Sequence, residues 1–340
     1  MNEELSKTLS VCMIAKNEES FIKNSLLSVL DIADEIIVVD TGSTDKTQEI
    51  AREAGAKVID FKWEDSFSAA RNESIRHSGG DWILVIDADE IISSDDKKKI
   101  KGIINSAGKE IAGFAFEQRS YLNTLSEGAI KNNSLFEPAV NYPYFISNFL
   151  VRLFRNNLGI QFRHRVHELV EESIEEKGMK REKAGIILHH FGSLKDETEI
   201  ANKAVQYSRL IFKQLEDNPE SARYNYQAGR MFLGQGNFSS ALKYFERTAE
   251  INPEYKSIHS EIAKVHLYLK EYDKAIKFFI KSLELGFSLS SANNLAVAYM
   301  SKGDFESAKK LLENYINEYP DNDALKHNYN ESLKNLNKTA

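Results

Sequence analysis

A single cysteine, Cys12, stands among the 340 residues, inside a short apolar run. One cysteine forms no intrachain disulfide, which suits a reducing compartment, and a small buried hydrophobe is its ordinary role. Long hydrophobic runs are missing too: nothing approaches the ~18 continuous apolar residues of a membrane span. Met1–Ser10 is polar and the apolar run behind it is short, unlike a secretory signal. A soluble, cytoplasmic protein without a transmembrane segment is expected. Positive charge is also scarce, with 44 Lys and Arg against 51 Asp and Glu, a net −7. That excludes the broad basic face of a general nucleic-acid binder and gives no reason for adhesion to an anionic membrane. An anionic ligand must therefore meet a local positive cluster or a metal. Glycine-rich phosphate loops are absent as well: there is no G-x-x-x-x-G-K-[ST], and no G-x-G-x-x-G after the first apolar run. Without them, backbone amides at a helix N-terminus cannot be assumed to hold a diphosphate, and a metal is the natural substitute.

What is present is an alternation of strands and helices. Leu9–Ala15, Glu35–Asp40, Lys57–Asp60 and Trp82–Ile86 read as buried strands. Between them, Phe21, Ile22, Leu26, Leu27 and Leu30 fall at helical spacing, Lys46–Ala54 is closed by Gly55, and Ser68–His77 is stopped by Gly79-Gly80. This βαβαβαβ order predicts an α/β domain with a mostly parallel sheet and helices on both faces. Ligands of such sheets bind outside the carboxyl ends of the strands. Acid stands at those ends, with Asp40 at the second and Asp87-Ala88-Asp89 at the fourth. Carboxylates at i and i+2 share one side of the backbone, where they suit a hard cation whose open positions take phosphate oxygens. The alternative is a helix start, with Ser93, Ser94 or Asp95 as cap. Arg71 and Asn72 supply a cation and an amide that suit the same anion, or an ordinary solvated helix face. Asp45 reads foremost as a helix cap.

Ser10–Glu19, the Val39–Asp45 turn, Ala70-Arg71-Asn72 and Trp82–Glu90 together resemble the nucleotide-diphospho-sugar half of a family 2 glycosyltransferase with the GT-A fold. The resemblance implies roles residue by residue. Ala15 and the turn of Lys16, Asn17 and Glu18 would line the nucleotide base, Asp40 would read the uracil, and Arg71 would meet the base or the diphosphate. Asp87 would lie near ribose and metal, with Asp89 as the direct ligand of Mg²⁺ or Mn²⁺.

Beyond Lys109 the pattern is less regular. Ile111–Phe116 reads as a strand and Ser120–Tyr144 as a long loop of the kind that serves as a lid or acceptor site. Arg163, His164, Arg165 and His167 crowd around Glu168, an unusual cluster in an acidic chain. Glu168 is the candidate general base, since an inverting transfer needs a carboxylate to take the acceptor proton; a surface pair with Arg163 or Arg165 is the alternative. The Arg-Leu-Phe-Arg (152–155) and Val-His-Glu-Leu (166–169) runs resemble a subset of the family that includes lipopolysaccharide-core glucosyltransferases and S-glycosyltransferases of bacteriocin peptides. There a His-Glu pair replaces the catalytic acid pair of other members. His189, at the end of Ile186–Gly192, is a candidate metal ligand or diphosphate donor, with a core-packed histidine as the alternative.

From Asp196 on the apolar period is 3.6. Ala241, Ala275 and Ala308 recur at near-constant spacing, each after a turn and a ring, with small residues upstream at Gly229, Ala263 and Ala296. This predicts tetratricopeptide repeats over 222–255, 256–288 and 289–322, a joining helix over 207–215 and a capping helix over 323–336. The domains are then expected at 1–195 and 196–340. Such arrays bind peptides or partner chains, so a peptide or protein acceptor is expected, with homodimerisation through the repeats as another use. The combined expectation is a metal-dependent inverting transfer from a UDP-sugar. A glycan acceptor, an inactive scaffold and a nucleotidyltransferase are the alternatives; the last would show a glycine-rich loop where Ala15-Lys16-Asn17-Glu18 stands.

Overall fold

Side-chain alternation along the first strands builds two cores, one on each face of a sheet. In the computed structural model β1 (Leu9–Ala15) lies between β2 (Glu35–Asp40) and β4 (Trp82–Val85), and β3 (Lys57–Asp60) flanks β2, all parallel. Leu9, Val11, Met13, Val38, Trp82 and Leu84 pack on one face. Cys12, Ile37, Val39, Ile83 and Val85 pack on the other. The first face is covered by α1 (Ile22–Val29), α2 (Thr47–Glu53) and α4 (Ser94–Ser106), the second by α3 (Phe67–Arg76) and α5 (Glu171–Glu176). Each apolar side chain fully buried this way contributes about 1.5–3 kcal/mol. Cys12 behaves as such a side chain: burial pushes its thiol up to about 12.

The structure describes residues 7–126, 128–192, 197–286, 288–320 and 322–339. Met1–Ser6, and the expected domain boundary at Lys195 and Asp196, lie outside them. Beyond β4 the sheet is mixed, because β8 (Tyr144–Arg155) runs antiparallel to both β4 and β6 (Ile111–Leu122). Next to β6 runs β9 (Lys180–His190), parallel to it, and the short β5 (Glu90–Ile92) pairs antiparallel with β9. The three helical crossovers that join β1 to β4 keep those strands parallel, and the sense changes where β8 pairs antiparallel with β4 and β6. The loop expected over 120–144 is partly ordered into β7 (Ile130–Lys131), paired with β8, and a turn of 3₁₀ helix at Glu137–Ala139. Ser93 caps α4, its hydroxyl accepting from Asp96 N at 3.1 Å. The cap therefore begins only four residues after Asp89 and leaves the Asp87-Ala88-Asp89 turn itself outside the helix.

Helices alone follow. α6 spans Glu197–Asp217, longer than the expected joining helix, and α7 (Ala222–Gly234) to α12 (Phe305–Glu318) form antiparallel pairs before α13 (Asp323–Thr339). The paired helices approach closely because the repeating positions are small: a Cβ on Gly229 would lie 2.5 Å from the Phe245 ring. Ala241, Ala263, Ala275, Ala296 and Ala308 are fully buried against Phe245, Phe279 and Leu312. Asn237 and Asp304, at matching repeat positions, cap α8 (Phe238–Ile251) and α12 by accepting from Ser240 N and Ser307 N. The chain divides into two compact units, Met1–Leu210 and Ile211–Ala340. No helix among the described residues is long and apolar enough to cross a membrane.

Candidate active site

Register brings the carboxyl ends of β1, β2 and β4 to one edge: Ala15 pairs with Asp40, and Cys12 with Val85. A cavity of about 400 Å³ opens there. Its floor includes Ala15, Lys16, Asn17 and Glu18 of the turn after β1. That turn is tied to the one after β2: Asn17 Oδ1 accepts from Thr44 N at 2.8 Å, and Glu18 N donates to Thr47 Oγ1 at 2.7 Å. Asn17 takes a left-handed φ of 55° to make the turn, a conformation that asparagine tolerates. Asp45 serves the local turn, accepting from Thr47 N and Glu19 N. Asp40 is buried beneath; its Oδ1 accepts from Gly42 N, Ser43 N and Gln48 Nε2. Its Oδ2 has no hydrogen-bond partner among the described residues. A buried orphan acceptor is costly, and here it lies beside Thr41, which lines the cavity.

A chain of alternating charges forms one wall. Glu168 Oε1 accepts from Arg71 Nε at 2.6 Å, Asp87 Oδ1 from Arg71 Nη2 at 2.8 Å, and Asp87 Oδ2 from Arg152 Nη2 at 3.2 Å. The same Arg152 nitrogen donates to Glu90 Oε1 at 2.8 Å, where Gln118 also donates. Burial by itself would raise Asp87, but Arg71 and Arg152 hold its carboxyl well below the usual range. Glu90 moves the other way, raised by burial that Arg152 only partly offsets. Arg71 rests over the Phe162 ring at 5.4 Å, and its Nη1 has no partner among the described residues. That leaves a buried guanidinium donor beside a cavity lined by Arg71, Asp87, Asp89 and Glu168.

Asp89 and His190 face each other across the same cavity, Oδ1 to Nε2 at 3.6 Å. His190 Nδ1 meets Ser120 Oγ at 2.8 Å, which fixes the ring and directs Nε2 inward. Burial lowers the His190 pKa, yet Asp89, Glu90 and Asp87 outweigh it and the net shift is upward. A Cβ on Gly192 would lie 2.5 Å from His190 Nε2 and 2.6 Å from Asp89 Oδ2. Glycine thus leaves a small space on which both donor atoms converge. A carboxylate and an imidazole around such a space fit a divalent cation that keeps open positions for phosphate and water. No cluster of three protein donors exists among the described residues.

The segment carrying Glu168 is an irregular loop held at few points. Asn72 Nδ2 donates to Phe162 O and Asn72 Oδ1 accepts from Phe162 N, so this amide is used for the loop and not for a ligand. Phe67 N donates to Arg165 O at 2.8 Å, and Arg163 and Leu169 form an isolated bridge. His164 and His167 adopt left-handed φ values of 74° and 54°. Such backbone persists only where its surroundings enforce it. Arg163 pairs with Glu176 and His164 with Glu172, while Arg71 pairs with Glu168.

Ala15, Asn17, Glu18, Arg71, Asp87, Asp89 and Glu168 therefore line one cavity; Asp40 is buried and does not line it, though its neighbour Thr41 does. His189 does not line it. Its Nδ1 meets Tyr121 Oη at 2.6 Å, its ring stacks on Phe136, and burial lowers its pKa to about 4. Neighbours on a strand point to opposite faces, and of the two histidines it is His190 that lines the cavity. A His-His doublet announces that one of the two turns inward but not which. Arg152 has a similar ambiguity with Arg155, which packs over Trp82 at 4.6 Å. Trp63, Phe67 and Tyr207 also line the cavity and carry no local signal in the sequence.

Known proteins are similar to this chain in sequence. Residues 10–171 match the glycosyl transferase family 2 family; residues 204–256, 226–286 and 294–322 match tetratricopeptide repeats. A TPR repeat-containing protein of Synechococcus elongatus is 32% identical over 77% of this chain and 61% of its own length. An uncharacterized glycosyltransferase of Rickettsia bellii is 41% identical over 32% of this chain and 37% of its own. The SPbeta prophage-derived glycosyltransferase SunS of Bacillus subtilis is 26% identical over 71% of this chain and 53% of its own. The chain thus spans between about a third and three fifths of the curated relatives it matches. Residues 10–171, which carry Arg71, Asp87, Asp89 and Glu168 of the cavity, are a glycosyl transferase family 2 domain, and tetratricopeptide repeats follow that domain in the same chain.

Proposed function

We propose that the first unit transfers a glycosyl group from a UDP-sugar to an acceptor in a single inverting displacement. The observation that carries this reading is the convergence of Asp89, His190, Arg71, Asp87 and Glu168 on one cavity above the strand ends. In this reading the uridine lies along Ala15, Asn17 and Glu18, and the orphan Oδ2 of Asp40 accepts from the uracil imide. Arg71 Nη1, buried without a partner among the described residues, donates to the diphosphate. Asp89 and His190 would hold Mg²⁺ or Mn²⁺, which when bound neutralises charge on the leaving diphosphate. Asp87, fixed by Arg71 and Arg152, stays ionised and holds Arg71 in place. Glu168 takes the acceptor proton as the nucleophile attacks the anomeric carbon opposite the diphosphate.

The acceptor in this reading is a peptide or protein side chain, supported by the repeats that follow, since such arrays bind extended chains. Hydrolysis of a panel of UDP-sugars with Mn²⁺, wild type against Asp89→Ala, tests the donor half. Metal-dependent turnover lost in the variant is expected; no turnover with any donor or candidate acceptor would favour a scaffold. Glu168→Gln is expected to bind UDP as the wild type does and to lose transfer, and unimpaired transfer would remove Glu168 from the role.

A further inference from the structure

One side of the cavity is built by residues that neither the strand ends nor the Glu168 loop contributes. Glu199, Asn202, Lys203, Gln206 and Tyr207 of α6 all line it. Their spacing, i, i+3, i+4, i+7 and i+8, is a single helical stripe. The usual pattern is reversed in this stretch: the polar stripe faces the cavity, while Ile200 and Val205 on the same helix are 44% and 71% exposed. Beside the stripe three rings run in contact, Trp63 to Phe67 at 4.9 Å and Phe67 to Tyr207 at 5.4 Å. Tyr207 also meets the His167 ring edge-on at 5.7 Å, next to Glu168. All these residues lie in the first unit.

We propose that this wall is the subsite for the pyranose ring of the transferred sugar, and that Asn202, Gln206 and Tyr207 determine which sugar is accepted. The inference rests on the donor orientation proposed above: a sugar in flight lies between the diphosphate at Asp89 and the proton acceptor Glu168. Tyr207, in ring contact with His167 beside Glu168, brings one end of the wall next to that interval, and the other stripe residues line the same cavity. A pyranose has an apolar C–H face and a rim of hydroxyls, each both donor and acceptor. Aromatic rings match the face. Carboxamides and a phenol, which also donate and accept, match the rim. A site built to hydrogen-bond a substrate hydroxyl rejects an epimer that misplaces it, because a polar group is then left unpaired. The amide positions are therefore specificity determinants, whereas the ion pairs of Arg71 and Arg152 serve every donor alike.

The test is calorimetry on the full chain with Mn²⁺, using UDP, UDP-glucose, UDP-galactose and UDP-N-acetylglucosamine as probes. Asn202→Ala, Gln206→Ala and Tyr207→Phe are compared with wild type; Asn202 is exposed, so its replacement leaves the core untouched. The expected result is UDP affinity within about twofold of wild type, with the preferred UDP-sugar weakened about tenfold per lost hydrogen bond and the ranking of donors altered. Unchanged donor affinity and ranking in all three variants, with a raised acceptor KM, would overturn the proposal and give the wall to the acceptor. Equal loss of UDP and UDP-sugar affinity would also overturn it, as a structural effect. A wild type that binds neither UDP nor any UDP-sugar would overturn the donor reading itself, a result separable from failure of the wall alone.

Discussion

The two units bury different things. In the first, buried Arg71, Arg152 and Glu90 and the partly exposed Asp87 form a continuous ion-pair chain beside a cavity. In the second, the repeat layers bury Ala241, Ala275 and Ala308 against Phe245, Phe279 and Leu312. Buried charge is a weak route to stability, since desolvation offsets most of the attraction. Small-residue packing is an efficient one, since dispersion and burial cost no ionic desolvation. The difference teaches where the candidate site sits: the first unit tolerates a chain of buried ion pairs beside a cavity, whereas the repeat layers are closed mainly by small residues against rings, with a buried carboxylate at Glu261 paired to Arg230.

That contrast can be broken from either side. Arg152→Met leaves Glu90 and Asp87 short of a buried counter-charge and is expected to cost about 3–5 kcal/mol in urea unfolding, with loss of UDP-sugar hydrolysis. Adding Glu90→Met to it is expected to restore much of the stability but none of the hydrolysis; equal stability of single and double variants would deny that the charges are a network. Phe245→Ala is expected to cost a similar ~3–5 kcal/mol in the second unit through a cavity, with hydrolysis at low temperature unchanged. Reduced hydrolysis in that folded variant would show that the units are not functionally separate.

Smaller changes sharpen the comparison. Gly229→Ala forces a Cβ onto the Phe245 ring and is expected to cost about 1–3 kcal/mol, read as a lowered thermal midpoint. A neutral result would mean that the paired helices can separate without penalty. The smallest expected effect is at His259, whose pKa is lowered by burial and by nearby Lys281. A group with a depressed folded pKa contributes stability above its unfolded value and loses it as pH falls. The second unit is thus expected to weaken progressively below about pH 6.5. His259→Gln should flatten that slope in pH-dependent urea midpoints, and an unaltered slope would assign it to other groups.

Local pattern made much of this molecule legible. Apolar runs ending in Asp40 and Asp87 identified strands and the edge on which they open, because side-chain period and strand-end acidity are properties of short segments. The recurring alanines identified the repeats for the same reason. What the pattern did not carry was anything decided by parity or by distant partners. The sheet turns from parallel to mixed at β8, which pairs antiparallel with the sequence-distant β4 as well as with β6, a choice of partner that no local pattern carries.

The sequence by itself determined the α/β half, the helical repeats, and the cluster of Ala15, Asn17, Asp40, Arg71, Asp87, Asp89 and Glu168 as candidates. Only the tertiary structure decided that His190 and not His189 faces Asp89, that Asn72 holds the Glu168 loop, and that Arg152 anchors Asp87. It also brought the polar stripe of α6 to the cavity from more than a hundred residues beyond Asp87. The physical reason is one of range. Periodicity and capping are encoded within a few residues, whereas which face a strand residue takes and which distant helix closes a site depend on register and packing that no short window contains.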